Sequence, residues 1–187
     1  MRIIAGTHRG RALTPVGGGD AAAHLRPTSD RVRESIFNLL VNGGHGDLVE
    51  GATVLDLFAG TGALGLEALS RGAAHVTFVD QGRVARSILH RNIELLRAES
   101  ETRVLEQDAT RIAPNTGKTA TLTFLDPPYG KGLGEAALKA ALRGGWLAPE
   151  AMIVWEEGSP PTPPMGFALV DRRKYGDTHV TLLQAPA

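Results

Sequence analysis

Two hydrophobic rhythms alternate along the chain. Short, largely apolar runs at Val54–Leu57, His75–Asp80, Arg103–Asp108, Thr121–Leu125 and Ala151–Trp155 read as buried strands, the second and third ending in an acid. Between them, apolar residues recur every three or four positions, as on amphipathic helices. The stretch after Thr28 or Ser29, either able to cap, carries Val32, Ile36, Leu39 and Leu40 on one stripe, leaving Arg31 and Arg33 off it. Further helices are predicted after Gly62, near 83–98 through Ile88, Ile93, Leu95 and Leu96, and near 133–143. Ala168–Tyr175 and Thr178–Gln184 read as a closing hairpin around Gly176-Asp177. Strand–helix alternation ending in a hairpin predicts an α/β chain whose seven-stranded sheet is mainly parallel, with one antiparallel strand.

The ends differ from this pattern. Arg2–Ile4 and Arg11–Leu13 flank Gly6-Thr7-His8-Arg9-Gly10 and read as a small β-hairpin, followed by the loop Gly17–Asp20. We therefore expect an N-terminal basic hairpin extension over 1–27 and a main domain over 28–187. The proline run from Pro160 to Pro164 excludes both helix and ladder.

Chemistry enters at Asp126-Pro127-Pro128-Tyr129, directly after the strand Thr121–Leu125. Two prolines fix their φ angles and donate no N–H, so the chain leaves the sheet rigidly with spare carbonyls. A carboxylate and a carbonyl can accept the two hydrogens of an exocyclic amine, and Tyr129 offers a face on which a base can stack. By itself the same run also reads as a Pro-Pro turn.

A second motif narrows the choice. Val54-Leu55-Asp56-Leu57-Phe58-Ala59-Gly60-Thr61-Gly62 is a strand running into a glycine turn that opens a helix. The spacing of Gly60, Gly62 and Gly65 also fits a dinucleotide pattern. Asp56 argues against that, because a carboxylate there repels a pyrophosphate and attracts an ammonium. The ligand best matched is S-adenosylmethionine, with its amino-acid tail. Asp80, about 20 residues beyond Gly60, is placed to grip ribose hydroxyls. Asp56, Asp80, Asp108 and Asp126 would then share one rim over the carboxyl ends of the strands, although Asp108 can instead cap with Thr110.

Composition limits the alternatives. The 187 residues suit one domain, and no cysteine is present for a disulfide or thiolate metal site. The six histidines show no metal-ligand spacing with acids, and Trp146 and Trp155 read as core. No signal-peptide core or membrane-length apolar run occurs, so a cytoplasmic protein is expected. Net charge is zero, yet residues 1–33 hold six arginines against two aspartates. That basic head points to a phosphate-docking surface, though each arginine alone reads equally as solvated.

The chain resembles the RsmD family of bacterial 16S ribosomal RNA guanine-N2 methyltransferases, within the Rossmann-like class I S-adenosylmethionine-dependent methyltransferases. The residues carrying this are Arg2–Gly6, Arg9-Gly10-Arg11, Leu25-Arg26-Pro27-Thr28-Ser29-Asp30-Arg31-Val32-Arg33-Glu34, Asp56–Leu69 with Ser70–Ala73, Asp126–Tyr129 and Tyr175–Thr178. Asp80 stands where many relatives carry Glu. The resemblance implies catalysis by Asp126, Pro127 and Tyr129. It implies S-adenosyl-L-methionine held by Asp56, Phe58, Gly60, Gly62, Asp80, Asp108 and Ala109, without a metal. Arg9, Arg11, Arg26, Arg31, Arg33 and Pro128 would contact 16S RNA, within a partly assembled small subunit, and a monomer is expected. A DNA adenine-N6 methyltransferase and a non-catalytic RNA-binding assembly protein are the competing readings, and Asp56 disfavours a nicotinamide dehydrogenase.

Overall fold

The apolar runs assemble into one seven-stranded sheet in the computed structural model, which describes residues 1–15 and 29–187. In chain order the elements are α1 (Asp30–Asn42), β1 (Thr53–Leu57), α2 (Ala63–Ser70), β2 (His75–Val79), α3 (Arg83–Leu96), β3 (Thr102–Leu105), β4 (Ala120–Leu125), α4 (Leu133–Arg143), β5 (Leu147–Glu157), β6 (Ala168–Tyr175) and β7 (Thr178–Gln184). The strands lie in the order β3-β2-β1-β4-β5-β7-β6. Only β7 runs against the rest, because it pairs antiparallel with both β5 and β6. The expected single antiparallel strand is therefore present. The order reverses between β1 and β4, and in open α/β sheets ligands bind in the crevice at such a point.

Strand alternation divides the core between two faces. Val54, Val76, Phe78, Leu122 and Phe124 pack with Phe37, Leu66, Leu89 and Ile93 from α1, α2 and α3. Leu55, Leu57, Leu125 and Ile153 face Leu138 and Ala141 of α4, together with Trp146 and Trp155. Both tryptophans are buried, as their apolar neighbours implied. Asp56 shares parity with Val54, so its carboxylate turns towards α2 rather than towards α4. β5 starts earlier than expected, at Leu147, with a register irregularity between Ala120 and Leu122 on β4.

Ser29 caps α1, its Oγ accepting from the Val32 N–H at 3.2 Å. One expectation about this helix is corrected. Arg33 does not stand out in solvent but is fully buried beside Phe37 and Leu40, positions four and seven further along the helix. Its Nη2 donates to Asp30 Oδ1 at 2.9 Å and to the Arg2 carbonyl, and its Nε lies 3.7 Å from Glu67 Oε2. Burial and these contacts hold the guanidinium inside the fold, so Arg33 does not face an RNA phosphate.

The N-terminal hairpin is reduced to a single bridge, Arg2 to Ala12, with the Ile3 N–H donating to the Arg11 carbonyl and Gly10 N–H to the Ile3 carbonyl. It lies along α2. The buried Glu67 accepts from the N–H groups of Ile4 and Ala5 at 2.8 and 3.1 Å. Thr7 N–H donates to the Ser70 carbonyl, and His8 N–H to Ser70 Oγ. The tip with Arg9 thus sits at the far end of α2, while Met1 and Thr14 lie near its start. The expected domain boundary at 27/28, the Gly17–Asp20 loop and Arg26 fall outside the described residues.

Candidate active site

The register of the central strands sets a row of side chains across the top of the sheet. Leu57 pairs with Val79 on one side and Leu125 on the other, and Leu125 pairs with Trp155. The next residues are therefore neighbours across four adjacent strands: Asp80, Phe58, Asp126 and Glu156. All four line one cleft of about 1440 Å³, which Asp56, Gly60, Ala109, Pro127, Pro128 and Tyr129 also line. β3 contributes Glu106 at the row's level, since Leu105 pairs with Val79. Asp108 is two residues beyond it.

The floor of the cleft is the turn from β1 into α2. Phe58 has φ 60°, in the left-handed region that costs a non-glycine residue roughly 1–2 kcal/mol. Such strain survives only where the surroundings fix it. Here Ala59 N–H donates to the Val79 carbonyl and Asp126 N–H to the Leu57 carbonyl. At Gly62, φ is 80° and a Cβ would come 2.4 Å from Leu89 Cδ1, so this position admits only glycine. The buried Asn92 supports the turn from behind, its Nδ2 donating to the Thr61 carbonyl at 2.9 Å. Its Oδ1 accepts from Thr14 N–H at 2.7 Å, tying the turn to the N-terminal arm.

The acids are held by backbone donors. Asp80 Oδ2 accepts from Gly60 N–H at 2.8 Å and Oδ1 from Gly82 N–H at 2.7 Å, which fixes the glycine turn against β2 and leaves further lone pairs for a ligand. Burial raises its pKa, while those two N–H groups and Arg86 oppose the shift. Asp56 is almost wholly buried and accepts from Gly65 N–H at 3.0 Å. Burial pushes it up to about 7; the Gly65 N–H opposes this and the Asp80 charge adds to it. A cation arriving above it is thus met by a carboxyl poised to ionise.

The structure brings Asp56, Phe58, Gly60, Asp80, Ala109, Asp126, Pro127, Pro128, Tyr129 and Arg31 to the cleft. Gly62 shapes the turn beneath it. Asp108 behaves as the capping alternative foresaw: its Oδ1 accepts from both the N–H and the hydroxyl of Thr110, and Gln107 and Ala109 form the wall there. Arg9 and Arg11 are exposed on the arm, apart from the cleft. Two features escaped the sequence reading. Glu156 is only 2% exposed at the end of β5, and Lys131 and Lys174 stand at the cleft beside Tyr129 and the β6–β7 turn. Among the described residues there is no cluster of side chains that could hold a metal ion, and no helix long and apolar enough to cross a membrane.

A sheet of this order, with a glycine turn after its central strand and acids at the strand ends, has the fold of the class I methyltransferases. Residues 1–184 match the family described as Conserved hypothetical protein 95. The chain belongs to that family, the RsmD family. Ribosomal RNA small subunit methyltransferase D of Escherichia coli K12 is 39% identical over 190 aligned positions, spanning 100% of this chain and 91% of that protein. The protein of the same name from Haemophilus influenzae is 35% identical over 189 positions, spanning 98% and 93%. Among solved structures, the Escherichia coli chain yhhF, named provisionally as a methyltransferase, superimposes with a TM-score of 0.83 at 40% identity, covering 100% of this chain and 98% of that one.

Proposed function

We propose that the chain methylates the exocyclic N2 amine of one guanine in 16S ribosomal RNA, using S-adenosyl-L-methionine, on a partly assembled small ribosomal subunit. The observation that carries this reading is the in-register row Asp80, Phe58, Asp126 and Glu156 above the glycine turn, with Tyr129 in the same cleft. The names of the relatives support ribosomal RNA as the substrate class.

The donor set fits the cofactor. A buried carboxyl at Asp56 suits an ammonium, Gly60 and Gly62 turn the chain beneath the cleft, and Asp80 keeps lone pairs for ribose hydroxyls. Ala109, with Asp108 behind it, flanks the adenine. When bound, S-adenosylmethionine supplies a methyl group already activated on a sulfonium, so no metal is required.

The chain's own residues align and prepare the amine. Asp126 and the Pro127 carbonyl accept its two hydrogens, which localises the nitrogen lone pair otherwise delocalised into the ring. Tyr129 stacks on the base, which leaves its own stack to enter the cleft. Asp126 takes the proton as the nitrogen becomes positive. Alignment of this kind is worth several kcal/mol of barrier. Arg31, Lys131 and Lys174 at the cleft meet the flanking phosphates, and Arg9 and Arg11 reach RNA further away.

The test offers labelled S-adenosylmethionine with two acceptors, undermethylated small subunits and duplex DNA. Label in the RNA of the subunits supports the proposal. Label confined to DNA adenine would overturn it in favour of an adenine-N6 methyltransferase.

A further inference from the structure

We infer that Glu156 is the residue that selects guanine, by accepting the N1–H of the target base beside Asp126. This rests on the guanine-N2 reading above and names the group that enforces it.

Three observations point the same way. Glu156 is 2% exposed, yet it belongs to the cleft wall. Burying a carboxylate is costly, and a fold that serves only packing has apolar residues for the end of a strand. Second, the pairing of Leu125 with Trp155 makes Asp126 and Glu156 next neighbours on parallel strands, which run about 4.8 Å apart. Third, strand parity sends the side chains of Asp126 and Glu156 to the same side of the sheet, and that of Glu157 to the other.

The chemistry of the base explains why two side-by-side carboxyl groups are needed. Guanine presents N1–H and N2–H donors next to each other on its Watson–Crick edge. If Asp126 takes the amine, the adjacent donor falls to the adjacent acid. Adenine offers its amine next to N1 as a lone pair, which a carboxylate at Glu156 repels. A site that pairs a buried polar group with one base leaves that group unmatched against the other, a far stronger filter than shape.

The experiment uses small subunits reassembled on 16S RNA joined from two segments, so that the methylated position carries either guanine or 2-aminopurine. 2-Aminopurine keeps the 2-amine but lacks O6 and replaces N1–H by a lone pair, and the loss of O6 is common to the wild-type chain and its variants. The wild-type chain should favour guanine by about 100-fold in kcat/KM, the scale of one hydrogen bond to a charged group. Glu156→Gln, whose amide can donate to N1, should lose most of the guanine rate and shrink the preference below about tenfold. Glu156→Asp, which keeps the charge but sets it back, should keep the preference at reduced rate. S-adenosylmethionine affinity, measured on each variant, should stay within a few fold of wild type. An unchanged guanine-to-2-aminopurine ratio in Glu156→Gln, whatever its overall rate, overturns the inference and makes Glu156 a structural residue. Failure of the wild-type chain on guanine subunits would instead overturn the functional reading beneath it.

Discussion

Asp56 near the end of β1 accepts a hydrogen bond from the backbone of Gly65, 3.0 Å away in the first turn of α2. The carboxyl group is thereby locked under the helix that the glycine turn opens, where burial holds its pKa at about 7 instead of 3.8. An acid whose pKa is raised on folding contributes stability fully below its unfolded pKa and loses it as pH rises through the folded value. The ligand-free chain should therefore lose about 1.4 kcal/mol from this group between pH 6 and pH 8. Urea unfolding at both pH values, on wild type and Asp56→Asn, checks this. The variant should lack that part of the pH dependence.

Asp126→Ala should reduce methyl transfer by at least about 100-fold, the scale of removing one group that stabilises developing charge. S-adenosylmethionine affinity should stay within a few fold, because Asp56 and Asp80 hold the cofactor. Single-turnover assays with calorimetric binding separate the two effects. Loss of binding as well would move Asp126 from catalysis to structure.

Glu67→Ala should destabilise the chain by about 3–5 kcal/mol, the cost of breaking a buried ion pair. Glu67 is wholly buried, holds Arg71 Nε at 2.7 Å, lies 3.7 Å from Arg33 Nε, and ties down Ile4 and Ala5. Hydrogen exchange should show the N-terminal amides losing protection in the variant before the sheet does.

Gly65→Ala should also be destabilising, by about 1–3 kcal/mol. A Cβ there would stand 2.4 Å from Phe78 Cε1 and 2.9 Å from Asp56 Oδ2, so both the core and the acid must shift. Thermal unfolding and cofactor affinity should fall together.

Much of this was legible in the sequence because strand ends carry local signals. A buried strand betrays itself by its apolar run, and an acid directly after it falls at the sheet's carboxyl rim whatever the register. Asp80 and Asp126 could be placed in that way, and Asp56 by the glycine turn that follows its strand. Asp108 could not, because β3 stops at Leu105, three residues short of the end of the Arg103–Asp108 run. Arg33 was missed since a charge beside an apolar stripe reads as solvated; only Glu67, 34 residues later, makes its burial tolerable. The Glu156-Glu157 pair looks like a polar exit from β5 until the Leu125–Trp155 pairing puts Glu156 beside Asp126. For Arg33 and Glu156 the missing information was a contact between elements distant in sequence.

The most direct test of the central claim is nucleoside analysis of 16S RNA from undermethylated small subunits, after incubation with the purified chain and labelled S-adenosylmethionine. The account predicts label in N2-methylguanosine at a single position, and none with Asp126→Ala. Label in any other nucleoside, or no transfer by a chain that binds the cofactor, would contradict it.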